Sequence, residues 1–142
     1  MAIFTDVMTV FNHFLDENGK DCWKRTIVKG VQWRHNKKEV TMSGKVQNET
    51  LVESITIDFK RKYGNKEYID PKAFAKLVER GEFWTLNSKD ALDIVILGEI
   101  TQDIKENYKF SNLKEEYDCR TVVSVKDNRN RDYLKHIKVV AK

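Results

Sequence analysis

The sequence predicts a mainly β protein: a small antiparallel β-barrel or sandwich with one or two short helices inserted. Three observations carry this. Runs rich in Val, Ile, Thr and aromatic residues alternate in polarity with a period of two, as strands with one buried face do. Turn residues punctuate the runs, beginning at Asp16-Glu17-Asn18-Gly19-Lys20, where Asn-Gly accommodates positive φ. Helical spacing is confined to short segments, chiefly the one opened by Asp70-Pro71.

Size and composition point to one soluble domain. A chain of 142 residues, 40% hydrophobic and 34% charged, is long enough to bury about two-thirds of its unfolded surface without disulfide or metal. One proline and six glycines leave no flexible linker, so residues 1–142 form a single β-rich domain with a helical insertion near 70–81. No signal peptide or membrane span is expected, because no basic region precedes a long apolar run. Cys22 and Cys119 lack a CxxC pattern and read as reduced, buried thiols. His13, His35 and His136 show no ligand spacing, so neither a metal nor a cofactor is expected.

In chain order, Val7 to Leu15 and Cys22 to Trp33 form a first hairpin. The second run places Trp23, Arg25, Ile27, Lys29, Val31 and Trp33 on one face, with cationic stems lying over aromatic surface. His35 to Glu39 reads as a polar turn before a short strand at Val40-Thr41-Met42, and Asn48-Glu49 as a loop. Leu51, Ile55, Ile57 and Phe59 then mark the buried face of another strand. The Asp70-Pro71 helix runs about ten residues on the apolar stripe Phe74, Leu77 and Val78, and Gly81 stops it. Phe83 to Leu86 reads as a strand edge. Leu92 to Gly98 is the most hydrophobic run and reads as a buried strand, with Glu99 to Ile104 continuing it past a bulge at Gly98. Ser111 caps a short helix to Tyr117. Two runs flanking Asp127 to Asp132 close the chain as a hairpin, with Val123 and Val125 sharing a face. Apolar residues on both faces of its last strand suit insertion into a sheet or barrel.

Catalytic chemistry is not expected. There is no glycine-rich phosphate loop, nucleophile elbow or helical His-Glu pair. Asp90 and Asp93 read as a turn residue and an outward-facing strand residue rather than an acid/base pair. The net charge of +4 is unevenly spread. Lys60, Arg61, Lys62 and Lys66 form one basic cluster, and Lys126, Arg129 and Arg131 belong to a second. These seven are the candidate contacts to DNA or to a neighbouring subunit. Trp23, Trp33, Tyr63, Tyr68 and Trp84 beside Lys60 to Lys66 could also serve a nucleic-acid-binding barrel, through a basic groove and stacking platforms. Core packing is the default for the tryptophans, and lysine at strand edges also guards against aggregation.

Three stretches carry a resemblance: Thr9-Val10-Phe11-Asn12 leading into Trp23 to Trp33; Asp93-Ile94-Val95-Ile96-Leu97-Gly98-Glu99-Ile100; and Thr121 to Arg129 closing on Leu134-Lys135-His136-Ile137-Lys138-Val139. Together they resemble a group of prophage proteins encoded among virion structural genes, and the last stretches are similar to head–tail joining proteins. The chain departs from the joiner pattern by a helix at Pro71 to Arg80 and a longer acidic segment at Glu99 to Asp118. The resemblance implies a non-catalytic head–tail connector (head-closure) protein of a bacteriophage neck. Such proteins form homo-oligomeric rings, commonly of six or twelve copies, between portal or adaptor and tail, and help retain packaged double-stranded DNA. It implies location in the virion after assembly in the host cytoplasm. The alternatives are a tail terminator or tail-completion protein, and the basic nucleic-acid-binding barrel.

Overall fold

A computed structural model describes residues 5–43, 46–58, 66–77, 82–89, 92–105, 107–129 and 136–142. Among these residues eight strands and two helices follow in order: β1 (Asp6–Leu15), β2 (Asp21–Ser43), β3 (Val46–Asp58), β4 (Glu67–Tyr68), α1 (Pro71–Ala75), β5 (Phe83–Trp84), β6 (Ile94–Leu97), α2 (Phe110–Glu116), β7 (Arg120–Asp127) and β8 (His136–Ala141). Six of them close into an antiparallel barrel in the order β1-β2-β3-β8-β7-β6, while β4 and β5 pair in parallel beside it. The mainly β expectation and the barrel are thus both met. The last strand is inserted, as its two apolar faces required: β8 lies between β3 and β7.

The first hairpin pairs β1 with β2 from Val7↔Lys29 to Leu15↔Asp21. Its tryptophans, however, do not share a face. Gly30 sits at φ 83°, and the register slips by one residue between Val7↔Lys29 and Asp6↔Val31. A bulge of this kind reverses the alternation, and glycine takes the conformation without a Cβ clash. Val28, Val31 and Trp33 therefore point into the barrel, and Trp23 packs outside it. A second slip, between Val122 and Ser124, does the same in β7: Val122 and Val125 meet the core, and Val123 is the extra residue.

Met8, Val10, Val28, Val31, Ile55, Ile57, Val95, Val122, Ile137 and Val139 fill the interior. Tyr68, Trp84 and Leu86, from the segment between β3 and β6, complete this core; Tyr68 meets Trp84 edge-on at 5.0 Å. A second apolar cluster covers the outer face of β1 and β6. There Leu113 of α2 reaches Phe11, Ile94, Ile96 and Ile100, and Phe110 stacks on Trp23 at 5.6 Å. Residues Met8 through Asn12 are buried without a break because both faces of β1 are covered.

Several local expectations are corrected. His35 to Glu39 is no turn and Asn48-Glu49 no loop: both lie in the long strands β2 and β3, paired from Lys37↔Val52 to Ser43↔Val46. Polar composition signals a turn only where a strand needs a buried face, and this stretch extends beyond the barrel. α1 is only five residues long, with Asp70 accepting from the Lys72 N–H as its cap and Lys76 ending it; Val78 and Gly81 lie outside the described residues. α2 starts at Phe110 rather than after a Ser111 cap, with the Asn112 side chain bonded to the Lys109 N–H. Gly98, at φ 109°, ends β6 instead of bulging within it. Past it the chain folds over β1, where Thr9 Oγ1 donates to Gly98 O (2.8 Å) and accepts from Ile100 N (2.9 Å). No described helix is long and apolar enough to cross a membrane.

Candidate functional site

The most distinctive feature is the β2–β3 ribbon beyond the barrel. β1 pairs with β2 only as far as Val31, and β8 with β3 only from Glu53 onward. Between Lys37 and Ser43 on one side, and Val46 and Val52 on the other, the strands pair with each other alone among the described residues. At about 3.3 Å per residue these seven pairs extend roughly 20 Å. Among the described residues both outer edges therefore lack a strand partner, leaving backbone N–H and C=O groups of the kind that strand addition uses.

At its base the ribbon meets a buried polar cluster. The register shifts between Arg34↔Ser54 and Lys37↔Val52, leaving His35 and Asn36 opposite Glu53. Glu53 shares its strand face with Ile55 and Ile57 and is 4% exposed, so its carboxylate sits in the barrel mouth. Oε2 accepts from the Trp33 indole at 3.1 Å and lies 3.1 Å from His35 Nδ1; Arg120 Nη2 approaches Oε1 at 3.5 Å. A carboxylate only accepts, so the His35 contact requires the proton on Nδ1. On the β1 side, Asp6 Oδ2 accepts from the Trp33 backbone N–H at 3.0 Å, continuing the pairing one step past the strand.

The candidate basic residues divide. Lys60, Arg61, Lys62 and Arg131 lie outside the described residues. Lys66 reaches onto β2, where Nζ donates to Arg25 O (2.6 Å) and Thr26 Oγ1 (3.0 Å). Burial lowers its pKa, Lys24 and Arg25 push the same way, and Asp103 opposes them. Arg129 grips Asp127, with Nε and Nη2 each 2.9 Å from a carboxylate oxygen, and lies 4.7 Å over the Tyr68 ring. Its hydrogen bonds hold the Asp127 carboxyl below the usual range. Burial pushes the Tyr68 hydroxyl up to about 12. Lys126 is exposed, opposite Lys138. Of the three described candidates, Lys66 and Arg129 thus hold the fold together, and Arg129 brings the closing hairpin against β4. Trp33, Tyr68 and Trp84 are core residues rather than a stacking platform.

Asp93 is also corrected. It is 3% exposed, not outward-facing. Oδ2 accepts from Asn12 Nδ2 and Asn87 N, and Oδ1 from His13 N, each at 2.9 Å. Burial raises its pKa against the pull of these donors. Beside it, His13, Asn87, Leu92 and Asp93 line a recess of about 20 Å³, room for about one water molecule. A carboxylate saturated by three donors serves as a tie between strands. Among the described residues no group of three or more His, Cys, Asp or Glu is placed to hold a metal ion. Sequence reading missed Glu53 as well, although it occupies the gap in the Leu51, Ile55, Ile57 stripe.

A closed six-stranded barrel with a projecting ribbon is thus the class of architecture. The chain belongs to the family described as "Family of unknown function (DUF6751)", whose model matches residues 3–142. No curated protein and no solved structure matches it.

Proposed function

We propose that this protein is a non-catalytic structural component of a phage virion, a head–tail connector that forms a ring between portal and tail and helps retain packaged DNA. The supporting observation is the ribbon. A closed barrel has no free edge of its own, so a subunit built on one needs a separate element to grip a neighbour. The β2–β3 ribbon supplies two such edges on a rigid body. A ring is heterologous, with each subunit offering two different surfaces, and a ribbon reaching from one barrel to the next meets that requirement. The likeness of the Asp93–Ile100 and closing-hairpin stretches to head–tail joining proteins supports the same reading.

The test is reconstitution. Purified protein mixed with portal-bearing heads should give neck complexes under electron microscopy. Unchanged heads together with a strictly monomeric protein would overturn the proposal, and binding to isolated tails but not to heads would replace it with a tail-terminator role.

A further inference from the structure

We propose that Glu53 is a latch that sets the direction in which the ribbon leaves the barrel. The barrel mouth alone carries this role, whether or not the protein serves in a phage neck. Both ribbon strands depart where their outer partners stop, at Asp6 of β1 and Ala141 of β8. With no flanking strand among the described residues, the direction of a two-stranded ribbon depends on whatever fixes its base. The bulge at His35 and Asn36 adds an unpaired stretch at that point, where local twist and bend concentrate.

Glu53 bridges this weak point. Its own strand continues into the ribbon, and its carboxylate takes Trp33 and His35 from the opposing ribbon strand. Arg120 reaches it from β7, two strands away around the barrel, and is itself paired with Asp118 at 3.0 Å. The carboxylate therefore fastens the bulge to the barrel wall. A buried carboxylate is costly unless several donors satisfy it. At this position the donors come from β2, at and just before the bulge, and from β7 in the barrel wall.

The test places spin labels at Met42→Cys, in the ribbon, and Ser124→Cys, on β7, in a chain carrying Cys22→Ser and Cys119→Ser. Glu53→Gln keeps the shape and one oxygen acceptor but removes the charge. It should at least double the width of the label–label distance distribution, while barrel amides such as Val10 and Val139 stay protected from exchange. An unchanged width in folded Glu53→Gln overturns the latch. Should that variant fail to fold, His35→Leu and Arg120→Met each remove one donor, and unchanged widths in both overturn it equally.

Discussion

Asn12 Nδ2 lies 2.9 Å from Asp93 Oδ2, joining two buried side chains 81 positions apart in sequence. The same Asn12 side chain accepts from Thr85 N at 3.2 Å and donates to Thr85 O. One amide thus pairs with backbone as a strand would, and fastens β1 to the segment leading into β6. Asn12→Ala leaves Asp93 and both Thr85 backbone groups short of a partner. Each orphaned buried group costs about 1–3 kcal/mol, so a loss of about 3 kcal/mol is expected in urea unfolding. A loss below about 0.5 kcal/mol would show the tie to be dispensable.

Asp127 and Arg129 give a pH-dependent prediction. The folded pKa of Asp127 lies below its unfolded value, chiefly because of the Arg129 hydrogen bonds. Its contribution is therefore present above the unfolded pKa, about 3.9, and is lost as pH falls through the folded value. Both side chains are a third or more exposed, which limits the pair to about 1 kcal/mol or less. Arg129→Gln should destabilise at pH 7 by that amount plus about 0.5 kcal/mol for the lost stack on Tyr68. Only the stacking part should survive at the acid end of a pH series of urea midpoints.

Gly30 carries the slip that sends Trp33 inward. At φ 83° an alanine costs about 1–2 kcal/mol. Gly30→Ala should lower stability by that amount, and a neutral result would mean the bulge relaxes freely.

Leu113 is the apolar anchor of α2, fully buried against the outer face of β1 and β6. Leu113→Ala should cost about 2–5 kcal/mol. Limited proteolysis should then cut within residues 105–119 before the barrel strands, because the interior core lies on the other side of the sheet.

The ribbon should be separable from the barrel. Replacing residues 38–51 by Asn-Gly restores a short hairpin, which should keep barrel stability within about 1 kcal/mol and abolish ring or neck assembly. Assembly by the shortened chain would refute the ribbon's proposed role.

Period-two alternation made the barrel strands legible, since every barrel strand needs one face against the interior. The closing hairpin and the first hairpin were readable for that reason, and so was α1's start at Asp70-Pro71. The ribbon was not, because Lys37 to Leu51 has no core to face and its polarity resembles that of a turn. The faces of Trp23 and Trp33 were misread because one positive-φ glycine changes the parity of everything after it.

Local composition alone thus determined that the chain is β-rich and where its main strands run. Which charged residues are consumed internally was decided by tertiary structure. Glu53 and Asp93 look like ordinary surface carboxylates in sequence. Their donors, Arg120 in one case and Asn12 in the other, are brought to them only by barrel closure. Lys66 likewise reads as a free cation until the fold sets Arg25 O within hydrogen-bonding reach, and Arg129, which pairs locally with Asp127, meets the Tyr68 ring only through the fold. Burial and pairing depend on contacts between residues distant in sequence, and spacing along the chain does not encode those contacts.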